Sequence, residues 1–426
     1  MKNFSLAAIG GIAGLVAACL LLSWQPGIAP IEPPEPASFS AEAIARGQQL
    51  AALGGCATCH TRDGGAALTG GRAMPTPFGT LYTTNLTPDR DTGIGAWSFA
   101  AFKRAMREGI SREGAFLYPA FPYPAFTRVG DEDLRDLYAY LMSRPAIAAA
   151  TPDDRLRFPY NQRRIMAGWN FLFFDEGPFQ PKPQRDAAWN RGAYLVEGLG
   201  HCSACHSPRN VLGAERSGRQ RFAGATVDGW QAPPLNELSK SAIAWTQATL
   251  LEYLRNGFSR YHGAAAGPMA PVAAGLTQQP DADLQAMARY LATFLPEQPG
   301  DFSPEKRKVE LEQRTYGTLQ PVSSSGGRIF SGACMACHHD GDGPRLDGVQ
   351  PSLAVSGKLY AATPDNLLKV ILEGIGNPAR PQLGYMPAFR HSLNNEQIIA
   401  LARYLREDFA GLPAWPDLEF KVAKLR

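Results

Sequence analysis

Cys202-Ser203-Ala204-Cys205-His206 (CSACH, 202–206) sets the fold of this chain, because the pattern returns as CATCH at 56–60 and CMACH at 334–338. Of the seven cysteines, six fall in these three copies, and the seventh, Cys19, lies in an apolar N-terminal run. Two cysteines three apart on a short helical turn reach the two vinyl groups of one porphyrin, and the histidine that follows is held beneath the iron. A redox dithiol or half of a zinc site also uses CxxC, but neither needs a histidine in the next position. The three copies leave no spare exported thiol. They predict three covalently bound haem c groups, attached through Cys56 and Cys59, Cys202 and Cys205, and Cys334 and Cys337, with His60, His206 and His338 as proximal iron ligands.

The flanks repeat as well. A short helical segment with an early glycine precedes each motif: RGQQLAALGG, RGAYLVEGLGH and GGRIFSGA. A second segment, at 97–109, 245–257 and 363–374, carries apolar residues three and four apart and ends in glycine. A last helix closes each repeat: DLRDLYAYLM, DLQAMARYLA and QIIALARYLRE. Acidic residues leading the first two suit a helix N-terminus. The first and last helices of each repeat are expected to cross at the early glycine, where the missing Cβ lets two backbones approach. The predicted fold is all-α: three tandem class I cytochrome c-like domains with long loops, at 41–150, 185–300 and 301–426, the last with a C-terminal tail. Each small core is completed by its haem. Residues 151–184 form an interdomain segment whose aromatic stretch, 158–179, is predicted to pack between the first two domains, with a contact to the partner or to quinone as the alternative.

An electron-carrying haem iron usually takes a sixth ligand. The soft sulfur of a methionine on a proline-stiffened loop before the last helix suits Fe(II) and raises the potential. Met386 in GYMPAF and Met269 in AAGPMAPV stand at that place. The corresponding loop of the first domain, YPAFPYPAF at 118–126, has no methionine. Aligned with Met386-Pro387, it offers Phe121-Pro122, and phenylalanine cannot ligate iron. Its three prolines forbid a helix. Met106 and Met142 read as core. Met74, in the loop GGRAMPTPF, is the candidate distal ligand of the first haem; a vacant or water-bound iron and a histidine from elsewhere are the alternatives. His201 is expected to support the second site, and His262, His339 and His391 to lie at the surface.

A net charge of +3 with no basic run excludes the electrostatic footprint of a nucleic-acid binder. From Phe4 to Trp24 there is no charge, behind Lys2. A run of about 20 apolar residues spans a bilayer, whereas a signal-peptide core takes about 7–15. Residues 1–25 are therefore expected to be a membrane anchor, with a cleaved signal and a lipoprotein signal at Cys19 as alternatives. Each of these puts the rest of the chain on the periplasmic side of a bacterial inner membrane. Residues 26–40 form a stiff, proline-rich linker.

With these motifs in place, the chain resembles the tri-haem cytochrome c subunits of membrane-bound periplasmic dehydrogenases of the alcohol, gluconate, sorbitol and aldehyde types. NRGAYLVEGLGHCSACHSPRN, DGWQAPPL, GPMAPV, TPFGTLYTTNLTPDRDTGIGAWS and FPYNQRRIMAGWNFLFF carry the resemblance, which covers nearly everything after about residue 40. It implies haem on the three motifs, with Met269 and Met386 as distal ligands. Alcohol dehydrogenase members have methionine in LYPAMPY where this chain has Phe121. The LYPAFPY form resembles cytochromes that accompany molybdenum hydroxylases of the aldehyde, nicotinate or isoquinoline type. The resemblance implies electron transfer from a large catalytic dehydrogenase subunit to ubiquinone or a terminal oxidase. That subunit would be a molybdenum hydroxylase, a flavoprotein or a quinoprotein, with or without a small subunit. The chain carries no Rossmann glycine fingerprint, no recognisable flavin or molybdopterin site and no catalytic constellation, so it reads as a non-catalytic subunit. Two other readings stay open: a haem enzyme, a peroxidase or small-oxidant reductase acting at an open first haem, and a free-standing anchored carrier.

Overall fold

The computed structural model describes residues 24–237, 239–316, 323–338 and 348–426. The expected anchor or signal segment up to residue 23, with Cys19, lies outside these residues, and so does His339. The described chain is mostly helical and divides into two compact units. One holds the residues through Gln180 together with Glu197–His201, and the other holds Pro181–Val196 and Cys202–Arg426.

The first unit is framed by three helices, α1 (Ala41–Leu53), α2 (Phe99–Glu108) and α3 (Asp131–Met142). Ser40 and Ser98 cap α1 and α2, each accepting the backbone N–H three residues on. Asp131, Glu132 and Asp133 place negative charge on the N-terminal turn of α3, where the helix dipole favours it. Three short strands, β1 (Ala73–Thr76), β2 (Gly79–Tyr82) and β3 (Arg155–Leu156), form an antiparallel sheet in that order. Helix α4 (Ile165–Phe173) turns Met166 onto Ile110 and Phe116. Residues 151–180 thus fold as part of the first unit.

In the second unit, α5 (Ala187–Glu197), α6 (Gln247–Asn256) and α7 (Asp281–Ala292) repeat the pattern around the second motif. A hairpin of β4 (Ala225–Val227) and β5 (Trp230–Ala232) lies between α5 and α6 in the chain. Helices α8 (Ser325–Ala333), α9 (Asp365–Glu373) and α10 (Asn395–Arg403) repeat it around the third. Phe330, Leu368, Ile398 and Leu401 make the core there, and Leu418 and Val422 of a C-terminal helix close it. The two repeats are joined by the Asn366 side chain, which donates to the Gln231 carbonyl and accepts from the Gln231 N–H, both at 2.8 Å.

The helix crossing has the same geometry three times. A Cβ added at Gly47 would lie 1.9 Å from the Asp136 carbonyl oxygen and 2.7 Å from Tyr140 Cβ. At Gly192 the figures are 1.9 Å to Ala286 and 2.9 Å to Tyr290 Cβ, and at Gly326 they are 2.0 Å to Ala400 and 2.8 Å to Tyr404 Cβ. Only glycine permits such an approach. In the first two repeats the residue before the glycine is an arginine that grips the last helix. Arg46 pairs with Asp133 and Asp136 at 2.9 Å, and Arg191 forks onto both oxygens of Asp283 at 2.8 Å.

Replacing Gly192 by alanine forces this crossing apart, which costs about 3 kcal/mol. The denaturant midpoint of the second unit is expected to fall accordingly. Gly300→Ala, at a position with open space around it, leaves the midpoint unchanged.

Candidate functional site

Each CxxCH motif forms a short helical turn: Cys56–His60, Ser203–His206 and Met335–His338. In the second and third, the histidine N–H donates to the carbonyl of the first cysteine, His206 to Cys202 at 3.0 Å and His338 to Cys334 at 2.9 Å. One turn of helix thus sets the imidazole beside the two thiols. None of the six cysteines is in a disulfide. Burial pushes the Cys56 and Cys202 thiols up to about 12 and Cys334 to about 11, reinforced by the second cysteine of each pair. A redox CxxC works the other way, with a depressed, nucleophilic thiolate. Among the described residues no group of three or more His, Cys, Asp or Glu is placed to hold a metal ion by itself. At the first cysteine of each motif, burial thus opposes the thiolate that a redox dithiol needs.

The histidines share a further feature. His60 Nδ1 lies 2.6 Å from the Thr84 carbonyl oxygen, His206 Nδ1 2.7 Å from that of Pro233, and His338 Nδ1 3.2 Å from that of Pro351. A carbonyl can only accept, so Nδ1 carries the proton and Nε2 keeps its lone pair. Burial holds all three imidazoles below their ordinary pKa, with the carbonyl bond opposing part of the shift. This is the state of a metal-ligating histidine with its second nitrogen anchored. Sequence reasoning misses these acceptors, although a signal is present. Thr84-Asn85-Leu86, Pro233-Pro234-Leu235 and Pro351-Ser352-Leu353 each put the acceptor two residues before a leucine.

In the first unit, Cys56, Cys59 and His60 open onto a cavity of about 570 Å³. Its walls are largely apolar, with Ile94, Phe102, Leu137 and Leu141 among them, and Met74, Phe121, Phe126 and His201 also face it. Thiols, a neutral imidazole and an apolar chamber fit a large, flat hydrophobic group held through sulfur and nitrogen. His201, expected at the second motif, lies in this first chamber with its ring edge-on to Phe126 at 5.5 Å.

Met74 is not in a free loop. It sits in β1 opposite Leu81 of β2, and three residues beyond Leu81 comes Thr84, the acceptor for His60. The prolines of AMPTPFGTLY suggest a loop, yet Pro75 occupies a strand at the edge of the sheet, where a missing donor is tolerated. The prolines of Tyr118–Phe126 likewise argue against helix, but Tyr123–Phe126 make a single helical turn. Pro124 falls in the first turn of that helix, where its absent N–H has no partner to lose. Phe121 lines the cavity and packs edge-on to Phe126 at 5.4 Å. Tyr123, fully buried, donates its hydroxyl to Asn170 Oδ1 of α4.

Backbone register corrects the alignment of this loop. After the glycine that ends the middle helix, the next residue bridges back across the loop: Ile110 to Phe116, Phe258 to Ala264, Ile375 to Met386. Phe121 and Met269 each lie five residues past the bridge partner, whereas Met386 is itself the partner. Phe121 thus corresponds to Met269. Met269 begins the helix Met269–Leu276 and packs half-buried near Ala265 and Ala273. Met386 is half-buried against the core of the third repeat. His391 is exposed, as expected. His262 is not: it is buried, stacked on Trp245 at 3.4 Å with the rings 11° from parallel.

The family described as Cytochrome c matches residues 44–145, and that described as Cytochrome C oxidase, cbb3-type, subunit III matches residues 322–405. One subunit of the nicotinate dehydrogenase of Pseudomonas putida is 52% identical over 98% of this chain, which spans 35% of that protein's length. The gluconate 2-dehydrogenase cytochrome c subunit of Pantoea cypripedii is 35% identical over 85% of each chain. A diheme cytochrome c-type protein of Cereibacter sphaeroides is 36% identical over 68% of this chain and 95% of its own.

Burial depresses His262 from its ordinary range to about 3. The unfolded chain then binds the extra proton first, so the stability from neutral His262 is complete above about pH 6.5 and is lost as pH falls toward 3. Between pH 6.5 and 4.5 the loss amounts to about 2 kcal/mol. His262→Phe, which keeps the stack on Trp245, is expected to remove that part of the acid sensitivity, measured as denaturant midpoints at the two pH values.

Proposed function

This chain belongs to the cytochrome c subunits of dehydrogenase complexes, and from that membership we propose that it relays electrons through three covalent haems, one on each CxxCH motif. Its role as an electron-transfer cytochrome subunit follows from the family itself. The observation that carries the three-haem reading is the threefold recurrence of one turn, with two thiols and a histidine whose Nδ1 is tied to a main-chain carbonyl. In this reading Cys56 and Cys59, Cys202 and Cys205, and Cys334 and Cys337 hold the thioethers. His60, His206 and His338 present Nε2 to iron. Haem, when bound, supplies reversible one-electron Fe(III)/Fe(II) exchange. The protein's own part is to keep the imidazoles neutral and oriented and to exclude water with apolar walls.

Met269 and Met386 are proposed as the distal ligands of the second and third haems. The first site differs, because Phe121 stands at the register of Met269 and has no donor. Met74 shares its hairpin with the strand that leads to the His60 acceptor, which supports placing it on the histidine side of the chamber. We therefore read the first haem as lacking thioether ligation. The high identity to a nicotinate dehydrogenase subunit supports a partner that oxidises an N-heteroaromatic acid. The acceptor would be ubiquinone or a terminal oxidase on the periplasmic side of the inner membrane.

Mass spectrometry of the mature protein is expected to show three haem additions, and two or fewer would remove the reading. Nicotinate added to the purified complex should reduce the haem bands, and a complex that responds only to sugars or alcohols would reassign the partner.

Met74→Leu is expected to leave the thioether-to-iron charge-transfer absorption unchanged, while Phe121→Met raises it by about half as a third His/Met haem joins two. A fall of about a third in Met74→Leu would instead make Met74 the ligand. Carbon monoxide binding to one haem per chain checks the open position independently.

A further inference from the structure

Helix α4 is apolar on both sides. Its inner side is fixed: Met166 is buried against Ile110 and Phe116, and Asn170 accepts the hydroxyl of the buried Tyr123. Those contacts leave Ile165, Gly168, Phe171 and Leu172 on the outer side, at the spacing of one helical stripe. Phe171 is 88% exposed and Leu172 64%, and a Cβ at Gly168 would meet nothing within 4 Å. Phe158, just upstream, is 80% exposed. A helix that is hydrophobic all round belongs in a core or in a membrane, and this one has a core on one side only.

Three observations identify what covers the other side. Between the acidic pairs Asp153-Asp154 and Asp175-Glu176, residues 155 to 174 hold four arginines, of which Arg163 pairs with Asp154, interleaved with Phe158, Tyr160, Trp169, Phe171 and Phe173. Basic and aromatic residues beside an apolar helical face are the composition of a segment lying in a lipid headgroup region. Arg157 and Arg164, both exposed, stand at its N-terminal end. The uncharged run Phe4–Trp24 leads into this same small assembly. Ile28 N–H donates to the Arg112 carbonyl at 2.8 Å, and Arg104 donates to the Pro26 carbonyl at 2.7 Å. The turn at Arg112 joins Ile110 to Phe116, the two residues on which Met166 rests.

We propose that the outer side of α4, with Phe158, is a membrane-docking surface: it lies in the interface of the bilayer, with Phe171 and Leu172 among the acyl chains and Arg157 and Arg164 at the phosphates. The segment would hold the first unit against the membrane at a fixed orientation, which an anchor alone does not do. Docking of this kind does not depend on the identity of the dehydrogenase partner.

The test uses the full-length, haem-loaded chain with Cys19→Ser, reconstituted into phosphatidylcholine and phosphatidylglycerol vesicles. A nitroxide is placed at Leu172→Cys, and in a second protein at Phe171→Cys in case the first takes up haem poorly. Val211→Cys, at a residue 88% exposed in the other unit, is the water-facing control. Collisions with oxygen, which partitions into lipid, are compared with collisions with a water-soluble nickel complex. Oxygen is expected to dominate at 171 and 172, and nickel at 211. Nickel dominating at 171 and 172 would overturn the proposal by showing water there. Shielding from both reagents would overturn it as well, assigning the surface to a protein partner or a second copy.

Discussion

An imidazole anchored through Nδ1 to a main-chain carbonyl is the constraint around which each repeat is arranged. It joins the helical turn of the CxxCH motif to a loop well downstream, at Thr84, Pro233 and Pro351. That bond settles the tautomer, aims Nε2 and leaves its lone pair free, so the direction of the imidazole is set by a backbone contact rather than by another side chain. A carbonyl on a well-packed loop holds its direction better than a flexible carboxylate would. In the first two repeats a β-hairpin delivers it, β1–β2 to Thr84 and β4–β5 to Pro233.

The frame that keeps this turn in place is the crossing of the first and last helices at Gly47, Gly192 and Gly326. Backbone contact there brings the first helix, and the motif that follows it, to a fixed depth. A tyrosine Cβ on the opposite helix fills the space that a side chain would otherwise take. The arginine clamps Arg46–Asp133 and Arg191–Asp283 are partly exposed and contribute direction more than energy. So small a core depends on its chamber being filled, and the apolar walls facing Cys56, Cys59 and His60 are consistent with a haem that completes the fold as well as performing the function.

Departures from the repeat are concentrated in the first unit. Phe121 stands at the register of Met269, Tyr123 ties the same loop to α4, and His201 reaches the chamber from just before the second motif. The loop is therefore stiffened from behind while it turns the apolar ring of Phe121 to the cavity. The second and third repeats share one unit, bound by the Asn366–Gln231 amide pair, and both retain a methionine on the loop.

By itself the sequence determined the motif, its count, the helices and the points where they cross. Those features are local: cysteine and histidine spacing within five residues, apolar residues three and four apart, a glycine at one place in a helix. Even the absence of methionine at 118–126 was legible there. Tertiary structure alone decided the rest. Which carbonyl meets each histidine depends on a loop that closes 13 to 27 residues away. Met74 became part of a strand because Leu81 pairs with it, which overrides the prolines around it. Phe121 moved into register with Met269 rather than Met386 because the third repeat reaches its bridge through a longer loop. His262 looked like a surface residue until Trp245 covered it, and the division of α4 into a packed side and an exposed side shows only in the fold. Each of these is a contact between distant segments, and no local periodicity records which partners a folded chain will bring together.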